Sequence, residues 1–464
     1  MLIMGLIFSC KNIKSENKAN QVKPNIVLIN IDDLGWADLG FQGSDYFETL
    51  NLDALSKKGM VFTNGYASAA NCAPSRAGLM TGQWAQRHKI YTVGNSDRGK
   101  AKDRKLIPTK NTVTLPNSFE IIPEVLQKNG YKTCHAGKWH LTDNPLLTGF
   151  DVNIGGSHAG HPGSYYPPYK NVEVEAKEGQ RLTDAIMDKT VDYIKQTDSP
   201  FFLNYSPYAV HKPIQPVPEL VKKYEDKPTK IDKKNAKYAT MIQNMDENVG
   251  RLLATLKETE KLKNTFIIFT SDNGGLYRVS KQHPLRAGKG SYYDGGIRVP
   301  FFFVWDDKIK AGKQSDIPIS NLDLYPTILE VAGIEKPQEQ NLDGQSLVSV
   351  VQGKNKELDR PLFWHFPIYL QAADMQNENR DVKFRTRPGS VVRYGDYKLH
   401  HYFEDNGFEL YNLKNDIGEK NNLIAVEVEK ANEMKAMLSK WQKETNAPIP
   451  TEVNLKYEEI ETKD

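Results

Sequence analysis

The stretch Asn25-Ile26-Val27-Leu28-Ile29-Asn30-Ile31-Asp32-Asp33 decides the fold. Its apolar residues run on without the alternation of a half-exposed strand, so it reads as a strand buried on both faces, as strands are when helices cover both sides of a sheet. The run stops abruptly at Asp32 and Asp33, which puts two carboxylates at the strand's carboxyl end. The same arrangement recurs downstream. Apolar runs at 132–136, 201–205 and 265–270 give way in turn to Gly137-Lys138-Trp139-His140, to the loop carrying His211-Lys212-Pro213, and to Ser271-Asp272-Asn273. Between them, 118–129 reads as a helix closed by Gly130. From Tyr238 onward Met241, Ile242, Met245, Val249, Leu252, Leu253 and Leu256 keep helical spacing. Strands alternating with helices predict an α/β sheet, and in such sheets ligands collect beyond the carboxyl ends of the strands. The four polar clusters are therefore expected to share one site.

Further along, 389–402 alternates as a strand does, 408–413 offers it a partner, and a helix follows over about 426–444. This predicts a small α+β subdomain at 351–464 packed on a larger region at 24–350, with the turn-rich 336–353 as the boundary. A chain of 464 residues, 39% hydrophobic and 26% charged, has room for both. The formal net charge of +3 argues against nucleic acid or an anionic membrane as the main partner, so any basic site must be local. The basic stretch 222–237 is interrupted by Glu225, Asp226 and Asp232 and reads as a solvated loop.

Three cysteines, Cys10, Cys72 and Cys134, are too few for a disulfide scaffold. The apolar start ending in Ile7-Phe8-Ser9-Cys10 resembles the lipobox of a bacterial lipoprotein signal, with 11–23 as a polar tether, although no Lys or Arg precedes the run and it is short for a signal. On this reading Cys10 is lipidated and the protein sits in the periplasm or at the outer membrane, touching lipid only through that anchor. Cys134 lies inside a strand-like run and reads as a buried thiol. Cys72 differs because Pro74 suits the first turn of a helix through Ala77 to Thr81, which sets Cys72 at the helix's positive end, where anions are favoured.

Cys72, Pro74 and Arg76 match the pattern Cys-x-Pro-x-Arg, and the companions come in order: Asp32-Asp33 before it, then Lys138-x-His140, His211-x-Pro213, Asp272-Asn273 and Lys289. With these residues the chain resembles the formylglycine-dependent sulfatases, from Pro24-Asn25-Ile26 through Asp294-Gly295-Gly296-Ile297-Arg298 to Glu409-Leu410-Tyr411-Asn412-Leu413. One departure is Asp294, where that family usually carries Glu. The resemblance implies an alkaline-phosphatase-like fold, a large mixed, mostly parallel sheet flanked by helices with a smaller C-terminal α+β subdomain. It also implies that a sulfatase-maturing enzyme oxidises Cys72 to formylglycine, whose hydrate offers two hydroxyls on one carbon for attack on sulfur and later release of sulfate.

Asp32, Asp33, Asp272 and Asn273 offer only oxygen ligands, which suits a hard cation such as calcium and suits zinc poorly. The family pattern adds the modified Cys72 to that set and gives the remaining residues their roles. Arg76, Lys138 and Lys289 bring positive charge to the sulfate, His211 with Lys289 protonates the leaving oxygen, and His140 takes the hydrate proton. His161, His283, Arg286 and His365 lie in flexible or polar, aromatic-rich stretches and are expected to touch a sugar ring, whereas His88, His135, His400 and His401 read as structural. The expected activity is hydrolysis of sulfate esters on a sulfated oligosaccharide or polysaccharide. Two alternatives stay open: a phosphatase or phosphodiesterase of the same fold, which would normally use Ser or Thr and a histidine-rich two-zinc site, and a glycan-binding lipoprotein in which Cys72 is never oxidised.

Overall fold

The computed structural model describes residues 23–231, 234–371, 375, 378–380 and 382–459. Cys10 and the tether after it lie outside the described residues. Among those described, no helix is long and apolar enough to cross a membrane.

The apolar run that opens the described chain forms the strand Asn25–Ile31, buried along its whole length. It lies inside an eight-stranded sheet, in the order Val152–Ile154, Lys132–Gly137, Phe201–Ser206, Asn25–Ile31, Thr265–Ser271, Phe301–Val304, Met60–Phe62, Lys313–Ser315. The pairings are parallel except those of Phe301–Val304, which runs against both neighbours. Alternate side chains of the central strand enter two separate cores. Val27, Ile29 and Ile31 pack with Ile186 of the helix Leu182–Gln196 and with Met241 and Met245 of the helix Ala236–Glu258. Ile26 and Leu28 pack on the opposite side with Ala77 of the helix Cys72–Thr81 and with Ile328 of the helix Leu324–Ala332. Each such side chain contributes about 1.5–3 kcal/mol by leaving water, and burial on both faces is why this strand carries no polar alternation.

Register turns this scaffold into a site. Ile31 pairs with Ser271, so Asp32 and Asp272 are the next residues out on adjacent strands; Gly137 pairs with Ser206, so Lys138 follows at the same edge.

Two local expectations shift. The helix expected at 118–129 begins only at Ile122, because Pro123 fits its first turn and the Glu124 side chain accepts from Ile121 N at 2.8 Å. The alternating stretch 389–402 is a hairpin, Gly389–Tyr394 and Tyr397–Tyr402, folded back at Gly395, whose φ of 57° is open to glycine at little cost.

That hairpin joins Leu362–Phe366 and Gly407–Asn412 in a four-stranded antiparallel sheet. The helix Val428–Glu444 covers it through Ala431, Met434, Leu438 and Trp441, packed on Phe363, Val392, Leu399 and Leu410. A buried ionic cluster ties this sheet to the large one. Lys398 Nζ donates to Asp294 Oδ1 at 2.8 Å and lies 3.0 Å from Glu419 Oε1, while Glu419 Oε2 accepts from Asp294 N at 2.6 Å. Asp294 also accepts from Tyr66 and Arg298. The departure from the family pattern at Asp294 is thus part of a clamp between the two sheets. Burial would raise the Asp294 carboxyl, but Lys398, Arg298 and Arg393 together hold it down at about 2.

Removing one partner of a buried ion pair leaves its counter-charge uncompensated and costs about 3–5 kcal/mol. Lys398→Met is expected to lose stability on that scale in urea unfolding, and an unchanged midpoint would remove the clamp from the account. Because the folded value of Asp294 lies below its ordinary 3.8, its stabilisation is complete above that value and is lost as pH falls toward about 2.

Candidate active site

Three carboxylates crowd the carboxyl ends of the two central strands, and all are buried: Asp32, Asp33 and Asp272. Such charges persist only when compensated, and the sequence supplies cations from three segments. Lys138 Nζ donates to both oxygens of Asp32, at 2.9 and 2.8 Å. Arg76, one turn into the cysteine helix, donates from Nε to Asp272 at 2.8 Å and from Nη1 to Lys138 O at 2.8 Å and Ser206 Oγ at 2.6 Å. Lys289 Nζ donates to Asp33 Oδ1 at 2.5 Å. Compensation is unequal. Burial, reinforced by Asp272 and Asp33, raises Asp32 to about 7 against the pull of Lys138. Burial also acts on Asp33, yet Lys289, His211 and Lys138 overcome it and hold that carboxyl well below the usual range.

Cys72 begins its helix beside these groups. Its Sγ lies 3.1 Å from Lys289 Nζ and 3.8 Å from Asp33 Oδ1. His211 Nε2 is 3.5 Å from Asp33 Oδ2, and its Nδ1 lies 2.8 Å from Lys212 O, a carbonyl that only accepts, so Nδ1 carries the proton. Burial pushes His211 well below its ordinary value, with Asp33 opposing; burial and then Lys138 do the same to His140, whose Nδ1 is buried without a partner among the described residues. Asp33 and His140 adopt left-handed backbone, φ 59° and 64°, a cost of about 1–3 kcal/mol of the kind that collects at functional sites. Burial would lower Lys289, but Asp33 above all keeps it well above the ordinary lysine value, so it stays charged.

These groups open onto a cavity of about 290 Å³ lined by Asp33, Cys72, His140, His161, His211 and Lys289 among others. Gly160 is required there: a Cβ on it would come within 2.7 Å of the His140 ring. His161 stacks on His211 with ring centroids 5.8 Å apart.

The structure places three of the four expected sugar contacts away from this cavity. His365 is buried in the smaller sheet, with Nδ1 2.8 Å from Ser390 Oγ and Nε2 3.0 Å from Pro448 O, so its ring is used in packing. Arg286 lies 3.8 Å from the Tyr293 ring centroid and donates to Glu378 O and Glu419 O, joining the two sheets. His283 lines a different surface hollow, with Trp36 and Lys230. His161 alone reaches the cavity. Arg76 and Lys138 are not among the residues that line the cavity, and they bond Asp272 and Asp32. Sequence reasoning missed Arg98, Lys212, Arg278 and Arg385, which line the cavity. Arg98, Arg278 and Arg385 belong to no recognisable motif, and Lys212 draws notice in the sequence only as the neighbour of His211.

The donor chemistry fits a hard divalent cation. Asp32, Asp33, Cys72 and His211 each offer an atom within 4.8 Å of the others, and Asp272 bonds Asp33 N from the next strand at 3.2 Å. Asn273 donates through Nδ2 to Asp33 at 2.9 Å, which leaves its buried Oδ1 without a partner among the described residues. An orphaned buried acceptor beside under-compensated carboxylates is what such an ion would satisfy.

Known proteins resemble the chain along its length. The sequence model of the family described as Sulfatase matches residues 24–334, and that described as N-sulphoglucosamine sulphohydrolase, C-terminal, matches 288–446. A protein named Sulfatase from Formosa agariphila is 32% identical over 97% of this chain and 94% of its own. The N-acetylgalactosamine-6-sulfatase of Homo sapiens is 31% identical over 76% of this chain and 70% of its own. The crystal structure of Ps i-CgsB in complex with k-i-k-neocarrahexaose is 31% identical and superposes with a TM-score of 0.76, covering 93% of this chain and 94% of that one.

Burial pushes the Cys72 thiol up to about 11, although Lys138 and Lys289 pull the other way. An unmodified Cys72 is therefore a neutral thiol at physiological pH and a poor nucleophile as it stands. Iodoacetamide is expected to alkylate it about two orders of magnitude more slowly than free cysteine at about pH 8. Fast labelling of that peptide, read by mass, would show a thiolate instead.

Proposed function

The chain belongs to the sulfatase family and is a sulfuric ester hydrolase, and from that premise we propose that it desulfates a sulfated carbohydrate, using a formylglycine made from Cys72 by a sulfatase-maturing enzyme and one calcium ion. The observation that carries this reading is the placement of Cys72 at a helix N-terminus, within 4 Å of Lys289 and Asp33, on a cavity that His140 and His211 also line. Carbohydrate is supported by the names of two relatives, the human N-acetylgalactosamine-6-sulfatase and Ps i-CgsB with its neocarrahexaose.

Formylglycine supplies, as its hydrate, paired hydroxyls on one carbon, so that attack on sulfur and recovery of the aldehyde use the same residue. Asp32, Asp33, Asp272 and Asn273, with residue 72, would hold the calcium, which contributes charge toward a sulfate oxygen and eases ionisation of a hydroxyl beside it. The remaining tasks fall to the chain's own groups. Lys289 keeps its proton and presents a fixed cation to the sulfate. Arg76 and Lys138 hold Asp272 and Asp32 in place and neutralise them, so that the pocket can accept an anion at all. His140, kept neutral by burial, can take a proton from residue 72.

His211 faces the harder problem, because a sugar alkoxide is a poor leaving group. With Nδ1 carrying the proton, its neutral form turns a bare Nε2 toward Asp33, a contact that favours gaining a second proton. Negative charge arriving with the substrate works in the same direction, and the protonated Nε2 can then deliver its proton to the bridging oxygen.

Expressed with a maturing enzyme, the Cys72 peptide is expected to show the mass of an aldehyde, and the protein to release sulfate from a panel of sulfated saccharides; only thiol, with no sulfate released, would overturn the reading. His211→Ala should slow desulfation of a sugar by about 10²–10⁴-fold while affecting 4-nitrophenyl sulfate far less, since nitrophenolate leaves without help. Equal losses on both would take proton donation away from His211. Calcium added after chelation should raise the melting temperature of the wild type, and Asp272→Asn should shrink that shift; an equal rise in both proteins would move the ion elsewhere.

A further inference from the structure

The cavity at Cys72 holds more positive charge than one sulfate requires. Its lining includes Arg98, Lys212, Arg278, Lys289 and Arg385, and among the described lining residues the acid is Asp33, which Lys289 already engages.

Two of these arginines come from segments that pack on one another. Arg98 precedes Gly99, and Gly99 lies so close to Phe384 that a Cβ there would come within 2.7 Å of the ring. Phe384 precedes Arg385 in the strand Phe384–Thr386, and Arg98 and Arg385 both line the cavity. Arg385 in turn lies across Gly290, where a Cβ would meet its Nε at 2.7 Å, and it donates from Nη1 to Lys289 O at 3.0 Å. That bond seats a cation from the smaller sheet's region directly beside the lysine that meets the sulfate. Arg98 is half-buried, and its guanidinium donates to Val93 O without an ion pair among the described residues. Arg278 stands exposed at the rim, on the loop that follows Asn273. A half-buried guanidinium with no ion pair among the described residues, lining a substrate cavity, is a receptor for an anion, because its planar fork of donors matches sulfate and carboxylate alike.

We propose that Arg98 and Arg385, with Arg278 at the rim, form a second anion subsite that holds a further sulfate or carboxylate of the substrate while its scissile sulfate sits at Cys72. The substrate class is then a polyanionic saccharide, with its second negative group close to the ester that is cleaved. This rests on the sulfatase reading above and adds what that reading leaves open. Arg98 and Arg385 are positioning residues: they hold the saccharide and take no part in proton transfer.

The test compares kcat/KM on three disaccharides that share one cleavable sulfate: one otherwise neutral, one bearing a second sulfate, one bearing a uronic acid. Wild-type enzyme is expected to favour at least one dianionic substrate over the neutral one by about tenfold or more, the scale of one charge-assisted contact. Arg98→Ala and Arg385→Ala should each pull that ratio toward one, chiefly through KM, and Arg98→Lys should keep part of it. Which dianionic arm responds identifies the second group as sulfate or carboxylate. Calorimetry on a Cys72→Ser background should show the same loss of affinity for the dianionic saccharide, with no dependence on turnover. Where Arg98→Ala fails to melt cooperatively, Arg98→Lys and Arg385→Gln carry the comparison. A wild-type ratio near one, or a ratio unchanged in the variants, overturns the subsite. Absence of desulfation on all three disaccharides would instead count against the sulfatase reading.

Discussion

Buried negative charge at the ends of two neighbouring parallel strands is the constraint from which the rest of this molecule follows. Asp32 and Asp272 sit where register must bring them together, one step past Ile31 and Ser271, Asp33 follows, and all three are buried. Charges so placed are tolerable only with partners at hydrogen-bond distance, and each partner comes from a different part of the chain: Lys138 past its own strand, Arg76 on the cysteine helix, Lys289 from a distant loop. The same bonds that make the carboxylates tolerable draw Cys72, His211 and Lys289 onto one cavity. Stability and function share one set of contacts here.

The scaffold behind the site is stiff for a separate reason. Both faces of the central strand are packed, so its carboxyl end has little freedom to move. The smaller sheet is held by more than apolar contact, through Asp294, Lys398 and Glu419. A separate two-stranded ribbon, Leu370–Gln371 with Phe384–Thr386, brings Arg385 to the cavity wall, so the C-terminal region shapes what the pocket can hold. Arg286, expected at the sugar, serves that attachment, and its bonds to Glu378 and Glu419 show why: a guanidinium between two sheets can satisfy several carbonyls at once.

Much of this was legible in the linear order of residues. An unbroken apolar run signals burial on both faces, and four such runs each ending in polar residues signal a parallel sheet with its site at one edge. Both signals are local, because the periodicity of a strand is written in consecutive side chains. The Cys72 motif and its companions were legible for the same reason, since each sits within a few residues of a strand end or a helix start. His365 misled because an aromatic, polar neighbourhood describes a packed strand as well as a sugar site, and only its bonds to Ser390 and Pro448 tell the two apart.

By itself, then, the sequence determined the alternating architecture, the acidic strand ends and the motif that distinguishes Cys72 from Cys134, all of which depend on neighbours along the chain. Only the tertiary structure decided which cation answers which carboxylate, that Arg76 and Lys138 are absent from the cavity lining, that His161 alone of four expected contacts lines it, and that Arg98 and Arg385 line it too. Those facts depend on distances between segments up to about three hundred residues apart, which are set by how helices and loops close over the sheet and leave no periodic trace in the order of residues.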